Sequence, residues 1–380
     1  MEIYADNAAT TRMSRTAIDA VTRCMREIWG NPSSLHASGQ RAGQELMNLR
    51  RRTAALLGCR CSEITFTSGG TESDNQALRT GAAFGLRNGK RHILSTAFEH
   101  HAVLHTLDVL AAEGFEVTLL DIPESGVIDP AAVEQALRPD TCMVSVMYAN
   151  NEIGTIQPVT EIGALCRSRG ILFHTDAVQA AGHLPIRFAE QNIDLLSLSA
   201  HKFHGPKGVG LLCCREGIPP VNVLWGGAQE KGKRPGTENL PGIVGMTAAL
   251  EEAVSHMDEN AAKTAAMRDR LIEGLSRIPG ALLNGDAERR LPGNVNFCFE
   301  GVEGESLLMM LDMKGIAASS GSACTAGSPE PSHVLLALGR SEAMAKSSLR
   351  LTIDEMNTPE EIETIIAEVT GCVSALRAMN

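Results

Sequence analysis

The chain has 380 residues, of which 43% are hydrophobic and 21% charged, and it carries a net charge of −11. This acidity, with no long run of Lys or Arg, argues against a nucleic-acid-binding surface. No apolar run approaches the roughly 18 residues that a membrane span needs, and the first residues lack the pattern of a signal peptide, so we expect a cytoplasmic protein without a membrane partner.

The ten cysteines are scattered along the chain, which favours reduced thiols over a disulfide framework in a protein of this length. Two close pairs occur, Cys59 with Cys61 and Cys213 with Cys214. Neither has a matching second pair at the spacing of a zinc site, so no metal site is predicted from them.

From about residue 60, short apolar runs alternate with helical patterns. The predicted strands are residues 64–67, 92–96, 116–121, 142–148, 171–175, 193–199 and 209–214. Such alternation is typical of a mostly parallel sheet covered by helices, and near-continuous apolar strands agree with burial on both faces. The predicted fold class is therefore α/β, with a seven-stranded sheet in a large domain.

The pattern changes after about residue 260. The elements predicted there are a helix over 260–278, a strand over 294–299, a helix over 305–314, a strand over 348–353 and a final helix over 359–379. This order predicts a smaller α+β domain. We assign residues 16–260 to the large domain and residues 1–15 and 261–380 to the small one.

Polar residues or glycines follow five of the predicted strands. They are Gly69-Gly70-Thr71, Glu99 and His100, Asn150 and Asn151, Asp176 and Gln179, and His201 and Lys202. In an open parallel sheet, ligands bind at the carboxyl ends of the strands, so we expect these residues to form one shared site.

These groups match the parts of pyridoxal 5′-phosphate (PLP). Gly69-Gly70-Thr71 opens a helix, where free amides and a hydroxyl can hold a phosphate, although a plain tight turn has the same pattern. Asp176 can pair with a protonated pyridine nitrogen, although an Asp at a strand end can equally cap a helix. His100 can lie over the ring or move protons, although a single histidine is more often structural.

Lys202 is the most specific member of the group. It directly follows a strand and is flanked by His201 and by Gly205-Pro206, so it does not lie on an evident solvated helix face. Lysine forms a Schiff base when its surroundings lower its pKa. With Asp176 at a neighbouring strand end, we predict that Lys202 holds PLP and is not an ordinary loop lysine.

Small residues dominate residues 319–329, and a single cysteine, Cys324, lies in their midst. Such a segment packs little and can move. It is either a linker with an incidental cysteine or an arm that brings a nucleophilic thiol to a buried substrate and then to a partner. None of the other cysteines has this setting, and we predict a mobile catalytic loop over about residues 319–332.

Together these motifs resemble those of cysteine desulfurases of the NifS/IscS type, which belong to the class V aminotransferase family with PLP fold type I. The similarity runs nearly from end to end. The motifs that carry it are DNAATT (6–11), GNPSSLH (30–36), TSGGTESDN (67–75), NNEIG (150–154), HTDAVQ (174–179), SAHK (199–202), RPGTEN (234–239) and SGSAC (320–324).

The resemblance implies that PLP is bound by residues of the strand ends and by one residue of a second subunit. These residues are Gly70, Thr71, His100, Asn151, Asp176, Gln179, Ser199, His201, Lys202 and Thr237. Lys202 would form the Schiff base, Asp176 would hold the pyridine nitrogen and Gln179 the ring oxygen. His100 would stack on the ring and move protons. Thr237 would reach the phosphate in the other subunit, which implies a homodimer.

For the substrate, the resemblance implies contacts from Asn151 and Arg350, with Arg350 binding a carboxylate as a bidentate fork. Cys324 would take sulfur from L-cysteine as a persulfide and leave L-alanine. The sulfur would pass to an acceptor protein, such as an iron–sulfur scaffold or a tRNA-thiolation enzyme. Asp354-Glu355 stands where family members usually carry Gly-Arg, which changes the surroundings of Arg350.

Two alternatives stay open. The first is another PLP enzyme of fold type I, either an aminotransferase or a selenocysteine lyase. The Cys324 segment argues against a simple aminotransferase, whereas selenium chemistry would use the same site. The second is a catalytically silent scaffold for sulfur transfer, which the intact set of Lys202, Asp176, His100 and Cys324 disfavours.

Overall fold

The computed structural model describes residues 2–321 and 330–379, so Cys324 lies outside the described residues. The strands in chain order are β1 (Ile3–Tyr4), β2 (Ile64–Thr67), β3 (His92–Thr96), β4 (Glu116–Leu120), β5 (Thr141–Ser145), β6 (Leu172–Asp176), β7 (Leu195–Ser199), β8 (Gly210–Cys214), β9 (Ala281–Leu283), β10 (Asn294–Phe299), β11 (Ile316–Ala317) and β12 (Ser348–Thr352).

The α-helices are α1 (Arg15–Glu27), α2 (Ala37–Leu57), α3 (Gly70–Arg87), α4 (His101–Ala112), α5 (Pro130–Ala136), α6 (Val159–Ser168), α7 (Leu240–Ser255), α8 (Met257–Leu275), α9 (Gly304–Met313), α10 (His333–Ala337), α11 (Glu342–Lys346) and α12 (Pro359–Met379). A short 3₁₀ turn, Ala200–Lys202, follows β7 directly. Within the described ranges, no helix combines the length and the apolar character that a membrane crossing demands.

The largest sheet has seven strands in the order β2-β8-β7-β6-β5-β3-β4. β8 runs antiparallel to both of its neighbours, and the other pairs are parallel. A parallel return needs a crossover of about a dozen residues or more, usually through a helix. Only residues 200–209 separate β7 from β8, so β8 returns antiparallel. The predicted α/β class and the mostly parallel seven-stranded sheet are confirmed.

Helices cover both faces of this sheet, and β8 shows why its strands are apolar throughout. Leu211 and Cys213 join the core cluster that contains residues of α1, α2, α6 and α7. Leu212 and Cys214 join the cluster that contains residues of α3 and α4. Alternate side chains of one strand therefore enter different cores, and each position favours an apolar residue.

A second core lies around an antiparallel sheet of order β12-β10-β9. Its buried members come from α8, α9, α12 and the sheet, and they include Ile3 and Ala5 of the N-terminal segment. β1 pairs in parallel with β11, which ties this segment to the same region. The predicted boundary between residues 260 and 261 falls inside α8, and the division into two domains stays a prediction.

Candidate active site

Three elements deliver residues to one edge of the seven-stranded sheet. β2 and β7 are both antiparallel to β8, so their carboxyl ends lie on the same side. β6 is parallel to β7 and ends there with Asp176. The predicted convergence of strand ends therefore has its origin in the strand directions.

The turn before α3 lies close to Ser199. A Cβ built on Gly69 would lie 3.6 Å from Ser199 Oγ, and one built on Gly70 would lie 3.6 Å from Ser199 Cβ and 2.7 Å from Val178 Cγ2. Gly69 precedes α3 and gives it no side-chain cap, so the first amides of this helix remain available for an anion. Thr71, in the same turn, is exposed.

Lys202 closes the 3₁₀ turn that follows Ser199 and is half-buried. Its Nζ donates hydrogen bonds to the carbonyl oxygens of Ala8 at 2.6 Å and Ala9 at 2.7 Å. Gln179 Nε2 donates to the same Ala8 oxygen at 3.0 Å. The N-terminal segment therefore holds two of the predicted cofactor residues next to each other.

The same segment also reaches Arg350. Asp6 Oδ1 accepts a hydrogen bond from Arg350 Nη2 at 2.9 Å. Arg350 Nη1 donates to the carbonyl oxygen of Asn151 at 3.2 Å, while Nε has no hydrogen-bond partner among the described residues. The guanidinium is only 1% exposed. The residues predicted to bind substrate thus meet, although Asn151 contacts Arg350 through its backbone and not its side chain.

Asp176 is buried, and its Oδ1 accepts a hydrogen bond from the amide of Val178 at 2.9 Å. Burial raises the pKa of Asp176 to about 8, and the nearby Asp74 carboxyl adds to the rise. The charge of Lys202 acts against this rise in pKa, because Lys202 and Asp176 lie at the ends of neighbouring strands. A cation placed against this carboxylate would offset the cost of burying its charge.

A buried histidine, His174, lies two residues before Asp176 in the same strand. His174 Nδ1 is in hydrogen-bond contact with Ser145 Oγ at 2.8 Å, and Nε2 with Ser197 Oγ at 3.1 Å. Burial lowers the pKa of His174 to about 4 and raises that of Asp74, 3.6 Å from Nε2, to about 7. None of these residues was predicted as functional, although His174 is part of the HTDAVQ motif.

His100 precedes α4 and caps it, because its Nδ1 accepts a hydrogen bond from the amide of Ala102 at 3.1 Å. Burial, together with the charge of Lys202, lowers the pKa of His100 to about 4. The ring is therefore neutral at pH 7 and carries its proton on Nε2.

His201 and Thr237, the remaining predicted contacts, are placed differently. His201 Nδ1 lies 3.2 Å from Thr10 Oγ1, and burial followed by the charge of Lys202 lowers the pKa of His201 to about 4. Thr237 is exposed, and within the described part of the chain it forms no hydrogen bond with the strand-end residues. Its segment is fixed to the start of α3 by the ion pair of Arg234 with Glu72 at 2.9 Å.

Glu152, which the motif reading did not single out, joins the described residues on either side of 322–329. Ser332 Oγ donates to Glu152 Oε2 at 2.5 Å, and a Cβ built on Gly321 would lie 2.6 Å from the same oxygen. Burial raises the pKa of Glu152 to about 7, although Ser332 and Arg350 counteract the rise. The described residues on both sides of the Cys324 segment therefore lie beside Glu152, on which the charge of Arg350 acts.

A family model for aminotransferase class-V matches residues 3–365 of the chain. The chain belongs to the aminotransferase class-V family. The chain is also similar to a cysteine desulfurase IscS of Methanosarcina thermophila. The two are 48% identical over 378 residues, which cover 100% of this chain and 93% of that relative. The predicted family is confirmed.

Solved structures have the same fold as this chain. A NifS-like protein superimposes with a TM-score of 0.92 at 37% identity and covers 98% of this chain and 100% of its own. A structure described as SspA in complex with cysteine gives a TM-score of 0.82 at 35% identity and covers 93% and 99%.

PLP is the cofactor of this family, and the residues of this chain fit it. The uncapped start of α3 beside Ser199 suits the phosphate, because amides at a helix start attract anions. The buried Asp176 suits a protonated ring nitrogen, because no ion pair within the described ranges neutralises it.

Proposed function

We propose that this chain is a cysteine desulfurase, which takes sulfur from L-cysteine, releases L-alanine and holds the sulfur as a persulfide on Cys324. The observation that carries the proposal is the N-terminal segment, residues 6–9, which joins Lys202 to Arg350. A lysine that can bond the cofactor and an arginine that can bind an amino-acid carboxylate therefore share one small volume. Relatives named cysteine desulfurase, at 43–48% identity over the whole chain, support the same reaction.

PLP, when bound, supplies a ring that withdraws electrons from the α-carbon of the substrate. In the proposed site, the start of α3 with Gly70, Thr71, Ser199 and His201 holds the phosphate. Asp176 holds the ring nitrogen protonated, and its raised pKa is offset by that positive charge. The residues around the ring are Asn151, Gln179, His100 and Lys202.

Arg350 binds the substrate carboxylate in this proposal. Its Nε has no hydrogen-bond partner among the described residues, so a carboxylate can approach Nε and one terminal nitrogen together. The Asp6 contact at Nη2 keeps the guanidinium plane oriented. The amine of Lys202 would be the base that removes the α-proton of the substrate.

The thiolate of Cys324 then attacks the substrate sulfur. An S–S bond forms, the Cβ–S bond of the substrate breaks, and its electron pair stays with carbon. A proton completes the methyl group of alanine, and Lys202, which holds the proton taken from the α-carbon, is its proposed source. The balance is one L-cysteine and one thiol in, one L-alanine and one persulfide out.

A homodimer and a sulfur acceptor complete the proposal. We propose that the partner subunit's Thr237 reaches the phosphate, because Thr237 is exposed in its own chain. Trp225, 90% exposed, lies nearby, since a Cβ on the adjacent Gly226 would be 2.9 Å from Pro235 Cβ. An apolar side chain so exposed favours an interface. The acceptor we propose is a cytoplasmic iron–sulfur scaffold protein.

The test is an assay of the purified, yellow protein with L-cysteine and a thiol reductant. We expect equal amounts of alanine and sulfide. Lys202→Ala should lose both products and the bound-cofactor absorbance, whereas Cys324→Ala should keep the absorbance and lose sulfide. A parallel assay with L-selenocysteine measures which substrate has the higher kcat/KM.

Matched controls are Lys207→Ala, an exposed lysine of the same region, and Cys61→Ala, a half-buried thiol remote from the site. Both should behave like the wild type. Sulfide release by Cys324→Ala at the wild-type rate would refute the role of this thiol, and a higher kcat/KM for selenocysteine would reassign the substrate.

A further inference from the structure

Behind the Lys202 turn, one histidine faces two carboxylates. His204 Nε2 lies 3.4 Å from Glu355 Oε1 and 3.8 Å from Asp354 Oδ2, and the ligand atoms of the three side chains lie within 4.8 Å of one another. His204 is 7% exposed and Asp354 6%, while the Glu355 side chain is 28% exposed. The group therefore lies at the wall of a pocket and not on the open surface.

The ring of His204 is held in one orientation. Its Nδ1 contacts the carbonyl oxygen of Arg12 at 2.9 Å, and its backbone amide donates to Thr11 Oγ1 at 2.8 Å. Since a carbonyl only accepts, Nδ1 carries a hydrogen, and a neutral ring directs its Nε2 lone pair at the carboxylates. This pattern, with the far nitrogen hydrogen-bonded to a carbonyl, is the usual support of a metal-binding histidine.

His204 Nε2 has no hydrogen-bond partner in the described chain although it is buried. A direct hydrogen bond to a carboxylate would bring the atoms to about 2.8 Å. The observed separations are longer, and they resemble the ~3.4 Å expected between two tetrahedral ligands at about 2.1 Å from one ion. These separations between His204 Nε2 and the two carboxylates therefore fit an ion bound between them better than direct hydrogen bonds.

The charges point the same way. Asp354 Oδ1 accepts from the Met356 amide at 2.9 Å, which leaves Oδ2 directed at His204. Lys263 binds the backbone oxygen of Glu355 and not its carboxylate. Within residues 2–321 and 330–379, His204 is the sole ion-pair partner of either carboxylate. The charge of Arg12 acts on Asp354 from farther away, but among the described residues no ion pair other than those with His204 neutralises the two neighbouring carboxylates.

We propose that His204, Asp354 and Glu355 bind one divalent transition-metal ion, with water from the pocket completing its coordination. One imidazole and two carboxylates suit Mn²⁺ or Zn²⁺ better than Ca²⁺ or Mg²⁺. The ion connects His204, which follows Lys202, to Asp354 and Glu355, which follow β12. Arg350 lies in β12. It acts on structure and is independent of the desulfurase chemistry.

The experiment titrates the chelator-treated holoenzyme with Mn²⁺ and follows the electron paramagnetic resonance signal of free Mn²⁺. The wild type should bind one ion per chain, and the same ion should raise its thermal midpoint. Glu355→Gln and His204→Gln should weaken binding by more than about tenfold. Each variant should retain the cofactor absorbance, which shows that it is folded.

Glu305→Gln is the control, because it removes the charge of an exposed carboxylate at the start of α9. It should bind Mn²⁺ like the wild type. The proposal is overturned if the wild type leaves the free Mn²⁺ signal unchanged, which would make the group a plain ion pair. Equal binding by Glu355→Gln and the control would also overturn it.

Discussion

Arg350 donates hydrogen bonds to Asp6 and Asn151 and keeps its Nε without a described partner. A buried guanidinium with an unused donor carries a cost, which a substrate carboxylate would remove. Asp6 neutralises the charge of Arg350 and holds its Nη2. The Nε side of the guanidinium is therefore the side that is open to a carboxylate before the substrate binds. Specificity for an amino acid then depends on geometry as well as on charge.

Arg350→Lys tests this fork. Lysine keeps the positive charge but offers a single point of contact, so it loses the bidentate arrangement. We expect the KM for L-cysteine to rise by about 10- to 100-fold with the cofactor absorbance unchanged, which corresponds to a loss of about 1.5–3 kcal/mol. Steady-state kinetics measure the change.

Arg270→Lys is the control for that substitution, because Arg270 makes a similar two-nitrogen contact with Glu363 on the exposed surface. Its KM should equal that of the wild type. An unchanged KM in Arg350→Lys would remove Arg350 from the substrate site.

Single residues at strand ends were predictable because each directly follows an apolar run. Asp176 and Lys202 are of this kind. Asp74 was not predicted, because it lies inside a helix and reaches the site through the fold. Asp6 and Glu152 act through partners distant in sequence, Arg350 and Ser332 respectively. All three lie in motifs that carry the family resemblance, but residue type alone indicates no role for them, because their partners are distant in sequence.

At the scale of elements, β8 shapes the end of the site where we propose that the phosphate binds. Gly210 begins β8, and a Cβ there would lie 2.4 Å from Leu198 O and 2.7 Å from Gly69 Cα. The antiparallel return of β8 therefore brings one backbone against the turn before α3. A side chain at this position would push that turn away from Ser199.

Gly210→Ala should lower the free energy of unfolding by about 1–3 kcal/mol, because overpacking forces the backbone to move. It should also weaken PLP binding, which absorbance titration measures. Gly371→Ala is the control: a Cβ there has nothing within 4 Å and lies in the interior of α12. That variant should be more stable by up to about 1 kcal/mol. Wild-type PLP affinity in Gly210→Ala would contradict the role given to this glycine.

The elements themselves were largely predictable. The bounds of β2, β3, β10 and α12 agree with the sequence pattern. β1, β9 and β11 were not predicted, because strands of two or three residues are too short to show alternation. The direction of β8 was not predicted either, since apolar character is the same in both directions.

At the scale of the whole molecule, buried acids and histidines set the dependence of stability on pH. Burial raises the pKa of Asp74 and Glu152 to about 7 and of Glu99 to about 8. The folded state therefore binds more protons than the unfolded state, and these acids make stability fall as pH rises toward 8. Histidines such as His100 and His174, whose pKa burial lowers to about 4, have the opposite effect up to about pH 7.5, where the unfolded histidine also becomes neutral.

By about pH 7.5 the histidines are almost entirely neutral in the unfolded state as well, so above this pH the acids dominate the slope. We expect the free energy of unfolding to fall between pH 7.5 and 8.5, as measured by urea titration. Glu99→Gln should reduce this fall by on the order of 0.5–1 kcal/mol. Glu305→Gln should leave it unchanged, and a slope that rises in this window would reverse the sign argued for these acids.

One pair of backbone hydrogen bonds connects the proposed substrate-binding residue, Arg350, to the chain that leads into the Cys324 segment. Ser319 and Arg350 exchange hydrogen bonds of 3.2 Å and 2.6 Å, so the last residues before the Cys324 segment are attached to the strand that carries Arg350. The far side of that segment is attached through Ser332 to Glu152. Residues added between 321 and 330 would lengthen the reach of the thiol without moving the arginine. In the proposed function, the length of the Cys324 segment could therefore be adapted to a different sulfur acceptor without changing how Arg350 binds L-cysteine.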